Sequence, residues 1–415
     1  MIAAKKRISR RIVFVNRYYD PDQSATSQML TDLARGLAAS GYEIHVVCSR
    51  QLYGDAAVRL ASSETRFGVR VHRIATTHFG RARLPGRAID YASFYLTCAL
   101  MLMKLLRPGA VLVAKTDPPL LSILAVPIAR ITRAALINWQ QDVFPEVASR
   151  LDANPLPKWF DRLLIRVRDV SLRAAKMNVV IGGRMRDYLA TRGVPDDKLY
   201  VIENWADGDA IQPKATTASA LRRRLDLADQ FIVCYSGNLG RAHETATLLA
   251  AAKSLEGDSR FIFLFIGDGA KTDALKQAVV EQSLDNFRFL PYQQRDTLAD
   301  SLAAADVHLV SLLPALEGLI VPSKLYGILA AGRPLIFIGD ADGDVARVID
   351  RIKCGVLVNV GDSTALRDAL RRLEAQPEER AHMGARARKL FCEEYTLQRA
   401  VERWVSLIEA ASADG

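Results

Sequence analysis

The sequence predicts an α/β protein of two doubly wound domains that face each other across a cleft, with a C-terminal helix returning to the first. Three observations carry this. A chain of 415 residues exceeds one ordinary core. Short β-branched runs alternate with helix-length segments, which implies parallel strands joined by crossover helices. A stretch rich in Gly, Pro, Thr and Ser, "DGDAIQPKATTASALRRRLDL" from Asp207, interrupts the alternation, which then restarts. The expected boundaries are 1–205 and 206–392 for the two domains and 393–415 for the helix.

In the first domain "RIVFV", "EIHVVCS" and "VRVHRIA" read as strands, and "ATSQMLTDLARGLAASG" as the first crossover helix, with Gly41 as its stop. The longest apolar stretch, Tyr91 to Leu106, falls short of the roughly 18 residues that span a bilayer and carries Lys104, so it reads as a core or membrane-surface helix. "AVLVAKTDPP", a helix from about Leu120 to Thr132, "AALINWQQD", a basic amphipathic segment from Lys158 to Lys176, "MNVVIGG" and "LYVIENW" continue the rhythm.

The second series runs through "FIVCYSGNLG", "FIFLFIGDG", "FRFLPY", "VHLVSLL", "RPLIFIG" and "CGVLVNVG". The closing segment from Pro377 reads as helical throughout, with charges spaced for solvent faces.

Five dispersed cysteines without a C-x-x-C pair suggest neither a disulfide framework nor a zinc site, and fit a reducing cytoplasm. The basic N-terminus "MIAAKKRISRRIVFV" lacks the apolar core of an export signal. Charge is asymmetric: residues 1–205 hold 31 Lys+Arg against 17 Asp+Glu, whereas the remainder holds 25 against 29. The first half therefore faces something anionic, a membrane leaflet or a nucleic acid.

Two segments carry the chemistry. "YSGNLGRAHE" follows a strand and precedes a helix, so Gly237, Asn238 and Gly240 permit backbone N–H groups to meet a phosphate, and Arg241 adds charge. A plain βα turn with a solvated arginine is the alternative. The third glycine of a dinucleotide fingerprint is missing, which argues against a nicotinamide dehydrogenase. In "LEGLIVPSKLYGILAAG", Pro322 suits a first helical turn, Gly332 a C-cap, and N–H groups near Ile320, Val321 and Ser323 are expected to point outward. Lys324 there opposes the helix macrodipole unless an anion sits nearby; otherwise it snorkels into solvent.

Taken in order, "VIENWAD", "YSGNLGRAHETATLLAAA", "FLFIGDGAK", "FRFLPYQQRDTLADSLAAADVHLVSL" and "PSKLYGILAAGRPLI" resemble the landmarks of the retaining glycosyltransferases of family 4, which have the GT-B fold of two Rossmann-like domains. The likeness is greatest to the fucosamine-transferase-like subgroup of bacterial exopolysaccharide and O-antigen synthesis. It implies a nucleotide-diphosphate sugar as co-substrate with no cofactor and no metal. Gly237 to Arg241 would lie by the diphosphate, Pro291 and Tyr292 by the nucleobase, and Glu317 to Lys324 by donor sugar and phosphates. Asn204 matches a recurrent asparagine near the linker. Ser24, Ala25 and Thr26 stand where relatives carry paired glycines facing the acceptor. Gln141 and Asp142 replace a customary His-Asp pair near the reacting sugar; Gln141 cannot shuttle a proton, and Asp142 either orients the acceptor or caps a strand end.

The chain departs from the family at Gly327, where a ribose-binding glutamate is customary, and at His243, where a lysine is. Arg241 and Lys324 are the expected cationic substitutes. The implied acceptor is a polyprenyl-diphosphate-linked glycan on the anionic inner leaflet, approached through the basic first domain and the stretch from Arg83 to Leu106, with no nucleic acid. A UDP-N-acetylhexosamine 2-epimerase of the same fold and a non-enzymatic RNA-binding protein are the other readings.

Overall fold

A computed structural model describes residues 10–53, 58–79, 84–151 and 157–413. Residues 1–9 of the basic N-terminus and Arg83 lie outside them. The chain forms two compact units, one of residues 1–203 with 397–415 and one of residues 204–396. These limits fall two residues before the expected first boundary and four residues after the expected second.

The first unit holds β1 (Arg11–Val15), β2 (Glu43–Ser49), β3 (Ser63–Arg66), β4 (Val69–Ile74), β5 (Val111–Lys115), β6 (Ala135–Gln140), β7 (Met177–Val180) and β8 (Leu199–Val201). They form one sheet in the order β3-β4-β2-β1-β5-β6-β7-β8. All neighbours are parallel except β3, which pairs antiparallel with β4. This edge strand escapes the sequence reading because "SETR" carries no apolar run.

Its helices are α1 (Ala25–Ala39), α2 (Leu84–Leu105), α3 (Leu121–Thr132), α4 (Glu146–Arg150), α5 (Lys158–Ala174) and α6 (Gly183–Thr191). Neighbours α2 and α3 pack together, as do α3 and α5. At 22 residues α2 is longer than its apolar run suggests. Its span Pro85–Leu105 has the length and composition to cross a bilayer, yet Phe94, Cys98 and Leu102 are buried in the core with Leu112 and Ala114 of β5. Crossing would expose those contacts again.

The second unit holds β9 (Phe231–Ser236), β10 (Phe261–Ile266), β11 (Phe287–Leu290), β12 (Val307–Ser311), β13 (Leu335–Ile338) and β14 (Gly355–Val358). They form an all-parallel sheet ordered β11-β10-β9-β12-β13-β14. The helices are α7 (Ala220–Arg224), α8 (Ala246–Ser254), α9 (Thr272–Glu281), α10 (Leu298–Ala303), α11 (Lys324–Ala330), α12 (Asp344–Ile352), α13 (Ser363–Ala375) and α14 (Pro377–Glu394). Phe263 and Phe287 stack, as do Phe265 and Phe287, so aromatic side chains of adjacent strands fill one face of the sheet. Strand order reverses between β9 and β12, and such a switch point places the loops after both strands around one crevice.

The closing segment is not one continuous helix. It breaks at Tyr395 and Thr396, where Thr396 bridges to Ala206, and resumes as α15 (Leu397–Ala413). In the first unit, Trp404 of α15 lies edge-on to Phe14 and Trp139, with ring centroids 6.4 and 5.0 Å away. A buried tryptophan thus fixes the last helix to β1 and β6.

Candidate active site

In the second unit three loops converge at the switch point. Gly237 N–H donates to the Ile266 carbonyl at 2.8 Å and Leu239 N–H to the Asp268 carbonyl at 2.9 Å, which lays the loop after β9 against the loop after β10. The contact needs glycines. A Cβ on Gly267 would lie 2.4 Å from the Gly237 carbonyl oxygen, and one on Gly269 2.4 Å from that of Leu239. Lys271 braces the same loops, its ammonium donating to the His243 carbonyl at 2.5 Å.

This geometry corrects part of the expectation for the turn: it does not open a helix, and two of its N–H groups are not free for a phosphate. The N–H groups of Gly237 and Leu239 are already used, and α8 begins only at Ala246. Buried Glu244 accepts from Thr247 N–H at 2.9 Å in the first turn of α8, so a carboxylate already stands at that helix end. Arg241 is exposed, and Asn238 packs against both Gly240 and Gly269.

Lys324 enters the same crevice. Its Nζ lies 3.4 Å from the centroid of the Tyr235 ring, and a Cβ on Gly237 would meet its Cε at 3.8 Å. Among the described residues the buried ammonium has no hydrogen-bond partner. Burial holds its pKa well below the ordinary lysine value. Tyr235, which the sequence reading passed over, is the platform: its hydroxyl donates to the Asn238 carbonyl at 2.9 Å and its ring stacks on Phe265. His243 stays neutral, its pKa pushed down to about 3 by burial and by Lys324. One of its ring nitrogens lies 2.6 Å from the Ser311 carbonyl.

The comparisons fall on these two units. Residues 24–205 match the family described as "Glycosyl transferase 4-like domain", and residues 219–390 match "Glycosyl transferases group 1". Each match spans less than half of the chain, and both are to glycosyltransferase families. It is 30% identical over 268 residues to a probable glycosyltransferase, WbjE, of Pseudomonas aeruginosa, covering 63% of this chain and 65% of that one. It is 30% identical over 172 residues to a putative colanic acid biosynthesis glycosyl transferase, WcaI, of Escherichia coli, covering 41% and 42%. The matches thus span less than two thirds of either relative. Anabaena HepE, solved in complex with UDP-glucose, superposes with a TM-score of 0.72 at 14% identity over 96% of this chain and 99% of that one. That likeness supports the GT-B fold.

The segment before α11 differs from expectation. Ile320 N–H does not point outward but donates to the Leu316 carbonyl at 3.3 Å. The helix begins only at Lys324 and lasts seven residues, so its dipole is small and the cost of placing Lys324 there is chiefly desolvation. Val321 is buried and Ser323 exposed. Gly332 ends the helix as expected, with a φ of 62° and its N–H on the Leu329 carbonyl. Gly327 faces Leu302 of α10. Glu317 rests against Gly343 at the start of α12, where a Cβ would come within 2.2 Å of its carboxylate. Tyr292 is exposed and its hydroxyl donates to the Asp268 carbonyl at 3.2 Å; Pro291 is exposed beside it.

In the first unit, Ser24 precedes α1, and its N–H and hydroxyl both donate to Asp22 Oδ1, at 2.9 and 2.5 Å. Ala25 and Thr26 lie in the first turn of α1. The Thr26 carbonyl accepts from the ammonium of Lys115 at 2.6 Å. Lys115 is 2% exposed and its Nζ lies 4.0 Å from the Trp139 ring centroid. Burial lowers its pKa to about 7 against the opposing pull of Asp117 and Asp142. The signal was present in "VLVAK", a lysine inside a strand covered on both faces.

Asp142 and Lys115 line the same small recess. Asp142 reaches solvent, but crowding by protein atoms and the charge of Asp117 raise its carboxyl to about 6. Gln141 is buried, with its N–H 3.4 Å from the Thr116 hydroxyl. Asn204 is buried in the second unit.

Among the described residues, no three of His, Cys, Asp and Glu come together as metal ligands do.

Proposed function

We propose that the protein transfers a sugar, with retention of anomeric configuration, from a uridine-diphosphate sugar to a lipid-linked or polysaccharide acceptor in bacterial surface glycan synthesis. The observation that carries this is Lys324. A buried cation with neither carboxylate nor carbonyl is costly, and a diphosphate in the crevice between the loops after β9 and β12 would supply the missing anion. HepE, of similar fold, was solved with UDP-glucose, and WcaI is named for colanic acid biosynthesis. The segments "PSKLYGILAAGRPLI" and "YSGNLGRAH" favour the fucosamine-transferase-like subgroup and a hexosyl or N-acetylhexosaminyl donor.

Cleavage of the anomeric bond leaves charge on the departing diphosphate. Lys324, with exposed Arg241 at the crevice rim, would stabilise that charge as it grows. Glu317 would hold donor-sugar hydroxyls, Asp142 would orient the acceptor hydroxyl, and Tyr292 would flank the base. The leaving phosphate itself would take the acceptor proton, so the reading needs neither a side-chain base nor a metal. The basic first unit would bring the enzyme to a polyprenyl-diphosphate-linked acceptor at the cytoplasmic face of the membrane.

Titrating UDP, GDP, ADP and their sugars by thermal shift tests the central claim. Stabilisation by UDP and a UDP-sugar is expected, because a ligand bound only by the folded state raises its stability by mass action. No shift with any nucleotide would remove it.

A further inference from the structure

The described exposed residues of α2, α3 and α5 share one property: every one is apolar or cationic. On α5 they are Lys158, Trp159, Arg162, Leu163, Arg166, Val167, Val170 and Arg173. The apolar members follow at helical spacing, with Trp159 64%, Leu163 46% and Val170 56% exposed. The acids of α5 turn away from this face. Asp169 is buried between Arg168 and Arg192, and Asp161 accepts from the Ser149 hydroxyl. On α2, Leu96 and Leu100 are 66% and 68% exposed, and Ile131 of α3 is 67% exposed. Because α3 packs against both α2 and α5, the three outer faces are neighbours on one side of the first unit.

We propose that this three-helix face docks on an anionic phospholipid bilayer, with Trp159, Leu163 and Val170 in the headgroup–acyl boundary. It deepens the membrane part of the reading above, and rests on that reading only for the benefit of being there. A helix with apolar residues and arginines on its outward side, and no exposed acid, matches an interfacial element. The charge is complementary to acidic headgroups and to no neutral surface.

A second feature supports the assignment. A cavity of about 360 Å³ opens where α3, β6 and the end of α5 meet. Alanines and Leu136 floor it, and Arg130, Arg133, Lys176 and Lys198 line it. Lys198 is fixed there by the carbonyls of Arg173 and Ala175. This recess would take one lipid phosphate.

Trp159 is a built-in reporter, since Trp139, Trp205 and Trp404 are buried. With full-length protein and vesicles containing phosphatidylglycerol, Trp159 emission is expected to shift to the blue and be quenched by brominated lipid. Phosphatidylcholine vesicles should give neither effect. Arg162→Glu with Arg166→Glu is expected to lower partitioning by about 30-fold or more, taking roughly fivefold per well-placed cation. Arg130→Glu with Arg133→Glu should lower it too, and Trp159→Ser should remove the optical signal and weaken binding. UDP binding and the melting midpoint serve as controls and should not move.

Wild-type protein that binds UDP but not the anionic vesicles overturns the docking proposal and leaves the donor reading standing. Binding to vesicles that all these variants retain overturns the choice of face. A concentration-dependent dimer lost in Trp159→Ser assigns the face to a second copy and also overturns it.

Discussion

The ammonium of Lys324 stands 3.4 Å from the centre of the Tyr235 ring, with an aromatic face where a buried cation ordinarily has a carboxylate. A cation–π contact gives about 2 kcal/mol when desolvated, less than the several kcal/mol that burying an ion costs. The unliganded site is therefore electrostatically unsatisfied, and what completes it follows from the sign of that deficit.

Lys324→Met should act in opposite directions on stability and on binding. Removing a buried amine whose charge has no counter-ion raises the melting midpoint of the free protein. The lost charge-assisted contact, about 1.5–3 kcal/mol, weakens UDP binding by roughly 10- to 100-fold. Thermal melts with and without UDP measure both. A variant that melts lower and binds UDP as tightly would remove Lys324 from the donor site.

Binding should also take up protons. Burial depresses the proton affinity of Lys324 in the free protein, and an adjacent diphosphate raises it. Over the pH range in which Lys324 of the free protein titrates, the calorimetric enthalpy of UDP binding is expected to vary with the ionisation enthalpy of the buffer, in the sense of proton uptake, and this uptake should vanish in Lys324→Met. UDP binding without any buffer dependence would mean that Lys324 is already charged.

Gly343→Ala tests Glu317. Position 343 has a φ of −71°, so alanine costs no backbone strain, but its methyl would occupy the space of the Glu317 carboxylate. If Glu317 holds the donor sugar, turnover of a UDP-sugar falls while UDP affinity stays. Unchanged turnover would free Glu317 from that role.

Lys115 makes a prediction about pH. Its folded pKa near 7 lies below the ordinary lysine value of about 10.4. Between these two values the unfolded chain holds more protons than the folded one, so this residue makes stability rise with pH across that window and adds no slope well below it. Denaturant midpoints at pH 6.5, 8 and 9.5 should show a shallower rise in Lys115→Met than in the wild type. Parallel profiles would mean that Lys115 titrates normally.

The buried Arg168 network should be structural. Its guanidinium joins Glu146 at 2.6 Å and Asp169 at 2.8 Å, all three being buried. Arg168→Leu leaves two carboxylates without that partner and should cost about 3–5 kcal/mol. Chemical denaturation reads this directly, and a loss under about 1 kcal/mol would show that the network relaxes.

Much of the fold was legible along the chain. The β-branched runs, the helix segments between them and the Gly332 stop are local properties, and their rhythm implies parallel sheets by itself. The order of motifs from "VIENWAD" to "PSKLYGILAAGRPLI" also marked the family, because each is contiguous in sequence. The unexpected edge strand β3 has too little apolar character to announce itself, and the break at Tyr395 is made by a bridge to Ala206, nearly two hundred residues away.

The site was legible in its parts but not in its wiring. The sequence by itself determined that Gly237 and Arg241 belong to the loop after one strand and that Lys324 opens the helix after another, since these segments are consecutive. Tertiary structure alone decided that Tyr235 lies under Lys324, that the Gly237 and Leu239 N–H groups are taken by the next loop, and that Lys115 reaches Thr26. Each of these joins residues remote in sequence, brought together by strand order. Whether a charged or polar group is paired depends on that neighbourhood, which no local pattern encodes.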